Sequence, residues 1–238
     1  MRPICHVQYL GKVPFQQAWA YQNHLADEIA SGRCEENLLL LEHPHTFTFG
    51  RRGQSKNLVW SENELAEKGV EVLWVDRGGD VTYHGPGQLV GYPILRLAPI
   101  GWHADRLPQA DYVGYIRKLE AVLIGVLQEY HLHGLRIEGK TGVWVPEKQT
   151  SVAQKIASIG VKVDAKGVSR HGFALNVDPE MSYWEGIIPC GIKQVEMTSM
   201  AECLSETVVV DKVSQITMKK FGEIFQRKMI VVDGPLMS

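Results

Sequence analysis

Three short runs between residues 135 and 178 constrain the fold of this chain most strongly. Each is rich in strand-forming residues and is bounded by turn residues; they read "LRIEGKTGVWV", "QKIASIGVKV" and "GFALNVD". Runs of this length that follow one another through turns are typical of an antiparallel meander. We therefore expect this half of the chain to form a sheet whose strands pair largely in chain order.

Helical periodicity flanks these runs. Apolar residues recur at helical spacing over residues 14–32, 108–130 and 211–229, which predicts three amphipathic helices. Bounded apolar stretches at 37–43 and 70–76 predict two buried strands. Because helices and strands are mixed rather than strictly alternating, the pattern favours an α+β fold with helices packed on a mixed, largely antiparallel sheet.

Length and composition indicate one ordinary globular domain. The 238 residues are 45% hydrophobic and contain no repeat, low-complexity tract or Pro/Ser-rich linker, so we predict a single domain over residues 1–238. The 25 basic residues are balanced by 27 acidic ones, which gives no basic field for nucleic acid or an anionic membrane.

The four cysteines and the apolar segments bear on the compartment. No pair of cysteines has a CxxC spacing, and Cys5, Cys34 and Cys203 lack glycine-rich or cationic neighbours, so we interpret these three as structural. No segment approaches eighteen apolar residues, and the N-terminus lacks the apolar run of a secretory signal. These features predict a protein of the cytoplasm or a similar reducing space.

A glycine-rich segment, "RGGDVTYHGPGQ" at 77–88, is too polar for ordinary core. Glycines let a backbone approach a ligand closely, and Arg77, Tyr83 and His84 supply polar groups beside it. The segment carries neither a phosphate-binding GK[ST] nor a GxGxxG pattern. Two structures fit it equally: a ligand-binding loop, and a hairpin with glycine turns.

Two further segments place polar groups among small residues. In a strand over "QKIASIG" (154–160), alternation puts Lys155, Ala157 and Ile159 on one face. A lysine there either extends to solvent, which is commoner, or is paired in a site. In "RHGFALN" (170–176), His171 precedes a strand of small residues that could form the floor of a pocket.

Cys190 lies between Pro189 and Gly191 in "GIIPCGIKQ". A buried cysteine is most often a small hydrophobic residue, but this proline and glycine would present the sulfur on an accessible corner. A thiol titrates near 8.5, and a neighbouring cation lowers that value. Lys155 and Cys190 could therefore form a nucleophilic pair, although the sequence alone does not bring them together.

Two histidine pairs have the spacing of metal ligands on a strand, His43 with His45 and His131 with His133. Neither has a third ligand nearby in the sequence, so we interpret them as surface histidines and predict no metal site.

Taken together, "RGGDVTYHGPGQ", "KIASIG", "HGFALNV" and "PCGI" resemble, in order and spacing, the motifs of the lipoyl(octanoyl) transferase family. The resemblance extends from about residue 38 to 199. It implies an acyltransferase that needs no ATP or other cofactor. It also implies a fold similar to the catalytic domains of biotin protein ligases and lipoate–protein ligases.

The resemblance also implies roles for individual residues. The acyl-thioester nucleophile falls on Cys190 and its partner on Lys155. The family's acyl-substrate pocket falls on the following residues: Arg77, Gly78, Gly79, Asp80, Val81, Thr82, Tyr83, His84, Ser158, Ile159, Gly160, Gly172, Phe173 and Ala174. Family members often have leucine at the position of Phe173, and a larger ring there is expected to trim the acyl pocket.

The implied partners are two proteins. Octanoyl-acyl carrier protein is the donor, and the acceptors are lipoyl domains of 2-oxoacid dehydrogenase complexes and the glycine cleavage H protein. Since acyl carrier proteins are acidic, Arg51, Arg52 and Arg77 gain a docking role. For the second half-reaction, the base is either Lys155 or His84 acting through water.

Two other functions fit parts of the pattern. An ATP-dependent lipoate or biotin protein ligase shares the expected fold but needs no nucleophilic thiol, so Cys190 argues against it. A non-catalytic protein that binds an acyl carrier or a lipoyl domain would have no use for an activated thiol.

Overall fold

The computed structural model describes residues 2–98, 109–147, 153–189 and 195–233, with the side chains of 109–111 left out. The strands are β1 (Ile4–Lys12), β2 (Glu36–Glu42), β3 (Thr46–Phe49), β4 (Glu71–Trp74), β5 (Val81–His84), β6 (Gln88–Ile94), β7 (Leu135–Ile137), β8 (Lys140–Pro146), β9 (Ala153–Val163), β10 (Ser169–Asn176) and β11 (Lys228–Val231). The α-helices are α1 (Phe15–Ala30), α2 (Glu62–Glu67), α3 (Gln109–Glu129), α4 (Met200–Leu204) and α5 (Val210–Phe225).

The strands form two sheets. The larger has eight strands in the order β11-β1-β2-β6-β10-β9-β8-β7, and the smaller has three in the order β4-β3-β5. In the larger sheet β1 is parallel to both β11 and β2, and the remaining pairs are antiparallel. The predicted α+β class and the meander of β7 to β10 are confirmed, although β10 continues the pairing to β6.

Helices cover both faces of the large sheet because successive strand residues point to opposite sides. Leu38 and Leu40 of β2 pack in a core cluster with α3 and α5. Their neighbours Leu39 and Leu41 pack in a second cluster with α1. Within the described part of the chain, no helix is long and apolar enough to cross a membrane.

Four details of the fold differ from the expectation. β4 was predicted as a buried strand, but it lies at the edge of the small sheet and Trp74 is 58% exposed. The last helix ends at Phe225 because Gln226 adopts a left-handed conformation (φ 54°), and β11 follows it. β1 and α2 were not predicted, although Ser61 and Glu64 form the capping box that starts α2. Ser199 and Glu202 form the capping box that starts α4.

The glycine-rich segment does not form a hairpin. β5 pairs with β3 in the small sheet, whereas β6 pairs with β2 and β10 in the large one. The turn between them needs glycine at 87, where φ is +82° and an added Cβ would lie 2.1 Å from the carbonyl oxygen of Asp178. The segment therefore crosses from one sheet to the other, and this crossing places residues 77–84 above the large sheet.

Candidate active site

A small cavity of about 60 Å³ lies where the glycine-rich loop crosses the large sheet. Its lining contains most of the residues that the resemblance implied: Arg77, Gly78, Gly79, Asp80, Val81, Thr82, His84, Lys155, Ser158, Ile159, Gly160, Gly172, Phe173 and Ala174. Of that set, Tyr83 is missing from the lining and Cys190 lies outside the described residues.

The floor of the cavity is a trough in the sheet made by small residues. Ser158 of β9 pairs with Ala174 of β10, and Gly160 pairs with Gly172. Since these two pairs are two residues apart, they lie on the same face of the sheet. An apolar chain can therefore lie along the strands there, as expected from the "RHGFALN" segment.

The roof of the cavity is the loop from Arg77 to Asp80, which buried hydrogen bonds hold in place. Arg77 is only 7% exposed, and its guanidinium donates to the hydroxyl and carbonyl oxygens of Thr48 and to Gly78 O. Asp80 accepts hydrogen bonds from Gln54 N, Val81 N and Asn57 Nδ2. Arg77 is thus a structural anchor, and the docking role suggested for it from sequence is wrong.

Lys155 is buried at one end of the trough, with only 4% of its surface exposed. Its Nζ lies 5.6 Å from the centre of the Trp144 ring, the side chain opposite it in the β8–β9 ladder. Gly142 leaves space for the lysine, because an added Cβ would lie 2.7 Å from Lys155 Cε. Of the two interpretations given above, the structure thus supports a lysine buried in a site.

A shift in strand register explains why Lys155 reaches the cavity. Val143 pairs with Ala157, but the next residue, Trp144, pairs with Lys155, so β9 contains one additional residue. Ile156 and Ala157 consequently both pack in the core cluster under α3. The alternation predicted for β9, which placed Lys155 and Ala157 on the same face, is therefore wrong. Lys155 instead lines the cavity together with Ser158.

The chain on both sides of Cys190 is bonded to the walls of this region. Before it, Ile188 N donates to Asn57 O over 2.8 Å, and Ile187 bridges Leu58. After it, Glu196 O accepts from Lys155 N (2.8 Å) and Thr198 N donates to Lys155 O (3.0 Å). Both flanking segments are thereby held beside Lys155 and its surroundings.

A wall of aromatic rings closes the inner part of the cavity. Phe15 of α1 lies 5.6 Å from His84 and 6.4 Å from His171, measured between ring centres, and Tyr92 lies 6.3 Å from His171. Phe15, Tyr92 and His171 line the cavity but were not among the predicted site residues. Only His171 had a sequence signal, its place before the small-residue strand; Phe15 and Tyr92 look like ordinary core residues.

Burial lowers the pKa of both histidines of this wall, His84 and His171. It lowers the pKa of His84 well below its usual value, with a further contribution from nearby His43. His84 Nδ1 lies 2.9 Å from Gln88 Oε1, and its Nε2 lies 3.3 Å from Thr48 Oγ1. Gln88 Oε1 can only accept, so Nδ1 carries the proton and Nε2 accepts from the threonine hydroxyl.

His43 is buried behind this wall, which corrects its interpretation as a surface histidine. Its ring nitrogens lie 2.6 Å from Val13 O and 2.7 Å from the Tyr92 hydroxyl. Burial lowers the pKa of His43 to about 4, although the contact with Val13 O opposes the shift. His45 is partly buried and lies 2.9 Å from the Tyr83 hydroxyl.

His131 and His133 are exposed, as predicted. Among the described residues, no group of three or more His, Cys, Asp or Glu side chains could hold a metal ion.

Asp76 supports the far end of the wall. Its Oδ1 accepts from His171 Nε2 over 2.8 Å, and its Oδ2 pairs with Lys162 Nζ at 2.5 Å and Arg170 Nη2 at 3.3 Å. Partial burial alone would raise the pKa of Asp76, but these three partners hold it well below its usual range. The carboxylate therefore fixes the orientation of the His171 ring.

Two predicted pocket residues have side chains that pack elsewhere. Tyr83 packs between Tyr183 and Trp184 in the core of the small sheet, with ring centres 5.4 and 5.5 Å away. Phe173 lines the cavity, but its ring packs in the core cluster under α3 and α5 and fills the space above Gly91. The ring of Phe173 thus packs in the core. The structure gives no support to the expectation that this ring shortens the acyl pocket.

A much larger groove of about 820 Å³ adjoins the cavity and shares six lining residues with it: Gly78, Gly79, Asp80, Lys155, Ile159 and Gly160. Its outer walls carry polar and cationic side chains, among them Arg52, Lys56 and Lys140. Lys155 therefore lies at the junction between a small cavity and a much larger, partly polar groove.

The fold agrees with the comparisons to known proteins. Residues 14–222 match the family model described as the lipoyl protein ligase A/B catalytic domain, and the chain belongs to this family. An octanoyltransferase of Chloroflexus aurantiacus is 44% identical over 92% of this chain and 93% of its own length. The predicted family is confirmed, and the names of its relatives bear out the predicted class of enzyme, an acyltransferase.

Solved structures confirm the predicted fold. A bi-partite lipoate protein ligase from Thermoplasma acidophilum superposes with a TM-score of 0.69 at 15% identity, covering 97% of this chain and 88% of that one. A biotin protein ligase from Aquifex aeolicus gives a TM-score of 0.50 at 14% identity, covering 93% and 70%. At such identities the likeness concerns the fold alone.

Proposed function

We propose that this chain, acting as one catalytic domain over residues 1–238, transfers an octanoyl group from octanoyl-acyl carrier protein to a lysine of lipoyl domains. The acceptors include the lipoyl domains of 2-oxoacid dehydrogenase complexes and the glycine cleavage H protein. The observation that carries this proposal is the position of Lys155, buried where a small cavity meets a much larger groove. The names of the relatives and the lipoyl domain studied with the Thermoplasma ligase support it.

In the first half-reaction the Cys190 thiolate attacks the thioester carbonyl of the donor. The Lys155 ammonium stabilises the thiolate, and the octanoyl tail lies in the trough between β9 and β10. A new carbon–sulfur bond forms on Cys190, the bond to the pantetheine sulfur breaks, and the departing thiolate takes a proton from the Lys155 ammonium, which leaves Lys155 as a neutral amine. Because one thioester replaces another, the step needs no nucleotide. A reduced thiol is required, which suits a reducing cytoplasm.

In the second half-reaction the neutral ε-amine of the acceptor lysine attacks the acyl-enzyme. An amide bond forms, the bond to the Cys190 sulfur breaks, and a base takes the amine proton, so that the sulfur departs as a thiolate beside the protonated base. His84 is a poor base here because it is buried, its pKa is low and both ring nitrogens are engaged. We therefore assign the base to Lys155, since it lies at the junction that both substrates must reach.

The test compares donors with the purified protein and an isolated lipoyl domain. Octanoyl-acyl carrier protein without ATP is expected to add one octanoyl group to the domain, measured by mass spectrometry. Octanoate with ATP and magnesium is expected to add none. Transfer only from octanoate and ATP would establish the ligase in its place. Binding of carrier protein or lipoyl domain without transfer from either donor would establish the non-catalytic function.

A further inference from the structure

We propose that the groove beside Lys155 binds the phosphate of the donor's pantetheine arm through Arg52, Lys56 and Lys140. This inference rests on the proposed function, because it takes the acyl donor to be a phosphopantetheine thioester. It adds a binding site for a part of the donor that remains outside the acyl cavity.

The groove has the size and continuity that such an arm requires. Its volume, about 820 Å³, falls within the range of roughly 300–1,000 Å³ that is typical of ligand pockets. It meets the acyl cavity at Lys155, so a donor with its tail in the cavity and its thioester at Lys155 must extend its arm into the groove. Gln54, Asn57 and Thr141 line the groove and offer hydrogen bonds to the amides of an arm.

The charge of the groove suits an anion. The protein as a whole has a formal net charge of −2, yet four cations stand among the described lining residues of this groove: Lys155 at the junction, and Arg52, Lys56 and Lys140 beyond it. No ion pair within the described ranges involves Arg52, Lys56 or Lys140. Among the described lining residues Asp80 carries the one carboxylate, and it already accepts three hydrogen bonds from the protein.

The cations approach the groove from two separate elements. Arg52 and Lys56 belong to the segment after β3, whereas Lys140 begins β8 and extends over the Trp144 ring at 5.1 Å. Groups that belong to separate elements of the groove can contact one phosphate together. Arginine and lysine are the usual protein ligands of phosphate, through charge-assisted hydrogen bonds.

The test uses three octanoyl thioesters that differ only in the part of the donor they contain: octanoyl-pantetheine, octanoyl-4′-phosphopantetheine and octanoyl-acyl carrier protein. The double variant Arg52→Gln/Lys140→Gln is compared with wild type and with Lys212→Gln/Lys219→Gln. The control removes the same charge from exposed positions on α5. The value measured is kcat/KM for acylation of the enzyme.

With octanoyl-phosphopantetheine, the groove variant is expected to lose about tenfold in kcat/KM, the effect of one charge-assisted contact. Octanoyl-pantetheine is expected to react equally with all three proteins. A loss that appears only with the carrier protein would overturn the inference and assign these cations to the carrier's surface. An equal loss with octanoyl-pantetheine would overturn it as well, since the cations would then support the structure. Failure of wild type with every donor would instead reject the proposed function.

Discussion

The cavity and the groove that meet at Lys155 are built in opposite ways. The cavity is small, and the side chains around its inner part are buried. The groove is more than ten times larger and carries exposed cations on loops and strand ends. Shape therefore determines what enters the first, whereas charge can attract what enters the second. The loop from Gly78 to Asp80 and strand β9 line both the cavity and the groove. The contrast between the two spaces therefore comes from the other residues that line each of them.

The largest effect is expected at the junction itself. Lys155→Met keeps the length of the side chain but removes the ammonium, so the thiolate proposed for Cys190 would lose its cation. The rate of enzyme acylation by octanoyl-pantetheine should fall by about 10²–10³-fold at pH 7, as for the loss of a general acid or base. Lys140→Met is the control, since Lys140 lies over the same Trp144 ring. Equal losses in both variants would show that the ring contact, and not the ammonium at the junction, matters.

The second prediction concerns the buried wall of the cavity at acid pH. The pKa of His43 falls from 6.5 to about 4 on folding, so the folded state resists protonation of this ring. Above pH 6.5 the neutral ring costs the folded state nothing in protonation. As the pH falls from 6.5 towards 4, the free energy of unfolding decreases by about 3 kcal/mol in total.

The free energy of unfolding, measured by urea titration between pH 7 and 4, should therefore change less steeply in His43→Gln than in wild type. His24→Gln, at an exposed position of α1, should keep the wild-type slope. A His43→Gln slope equal to that of wild type would contradict the neutral, buried assignment of this ring.

The third prediction tests whether the shape of the cavity controls which acyl chains it accepts. A Cβ at Gly160 would lie 3.0 Å from both Arg77 Cδ and Gly78 O, so Gly160→Ala must push the roof away from the floor. We expect about a tenfold loss in kcat/KM with octanoyl-pantetheine and a smaller loss with the butanoyl thioester.

Gly114→Ala is the matched control, because nothing lies within 4 Å of a Cβ added at this position in α3. It should leave both rates unchanged. Equal losses for the octanoyl and butanoyl thioesters in Gly160→Ala would show that the trough does not hold the far end of the chain.

The smallest effect is expected from Thr82→Val in the cavity wall. The Thr82 hydroxyl is buried, and no hydrogen-bond partner for it exists among the described residues. Replacing it with a methyl group of similar shape should raise the free energy of unfolding by about 1 kcal/mol. Thermal or urea unfolding measures this. A clear loss of stability would show that the hydroxyl is bonded in the folded protein.

The sequence predicted those parts of the site that local patterns encode. Glycines at 78, 79 and 160 and the small residues of β10 were recognisable because short motifs keep their order and spacing. The meander over β7 to β10 followed from strand-forming runs between turns. The α+β fold class was predicted from the mixture of segments with helical spacing and short strand-forming runs.

Other features depend on contacts between distant segments and have no local signal. Phe15 closes the cavity only because α1 packs on the face of the sheet that bears Ala174. Lys155 faces the cavity because of a one-residue register shift, which alternation cannot reveal. β11 was missed because it is short and pairs with β1, more than 200 residues away in the chain.

The central claim is that Cys190, paired with Lys155, carries the acyl group. The direct measurement is the intact mass of the protein after brief mixing with octanoyl-acyl carrier protein without ATP, for wild type and Cys190→Ser. We expect one octanoyl group on wild type, removed by hydroxylamine and absent from the variant. Adding a lipoyl domain should then transfer the label to that domain. An unmodified wild-type protein that nevertheless octanoylates the lipoyl domain, or equal labelling of the variant, would contradict the claim.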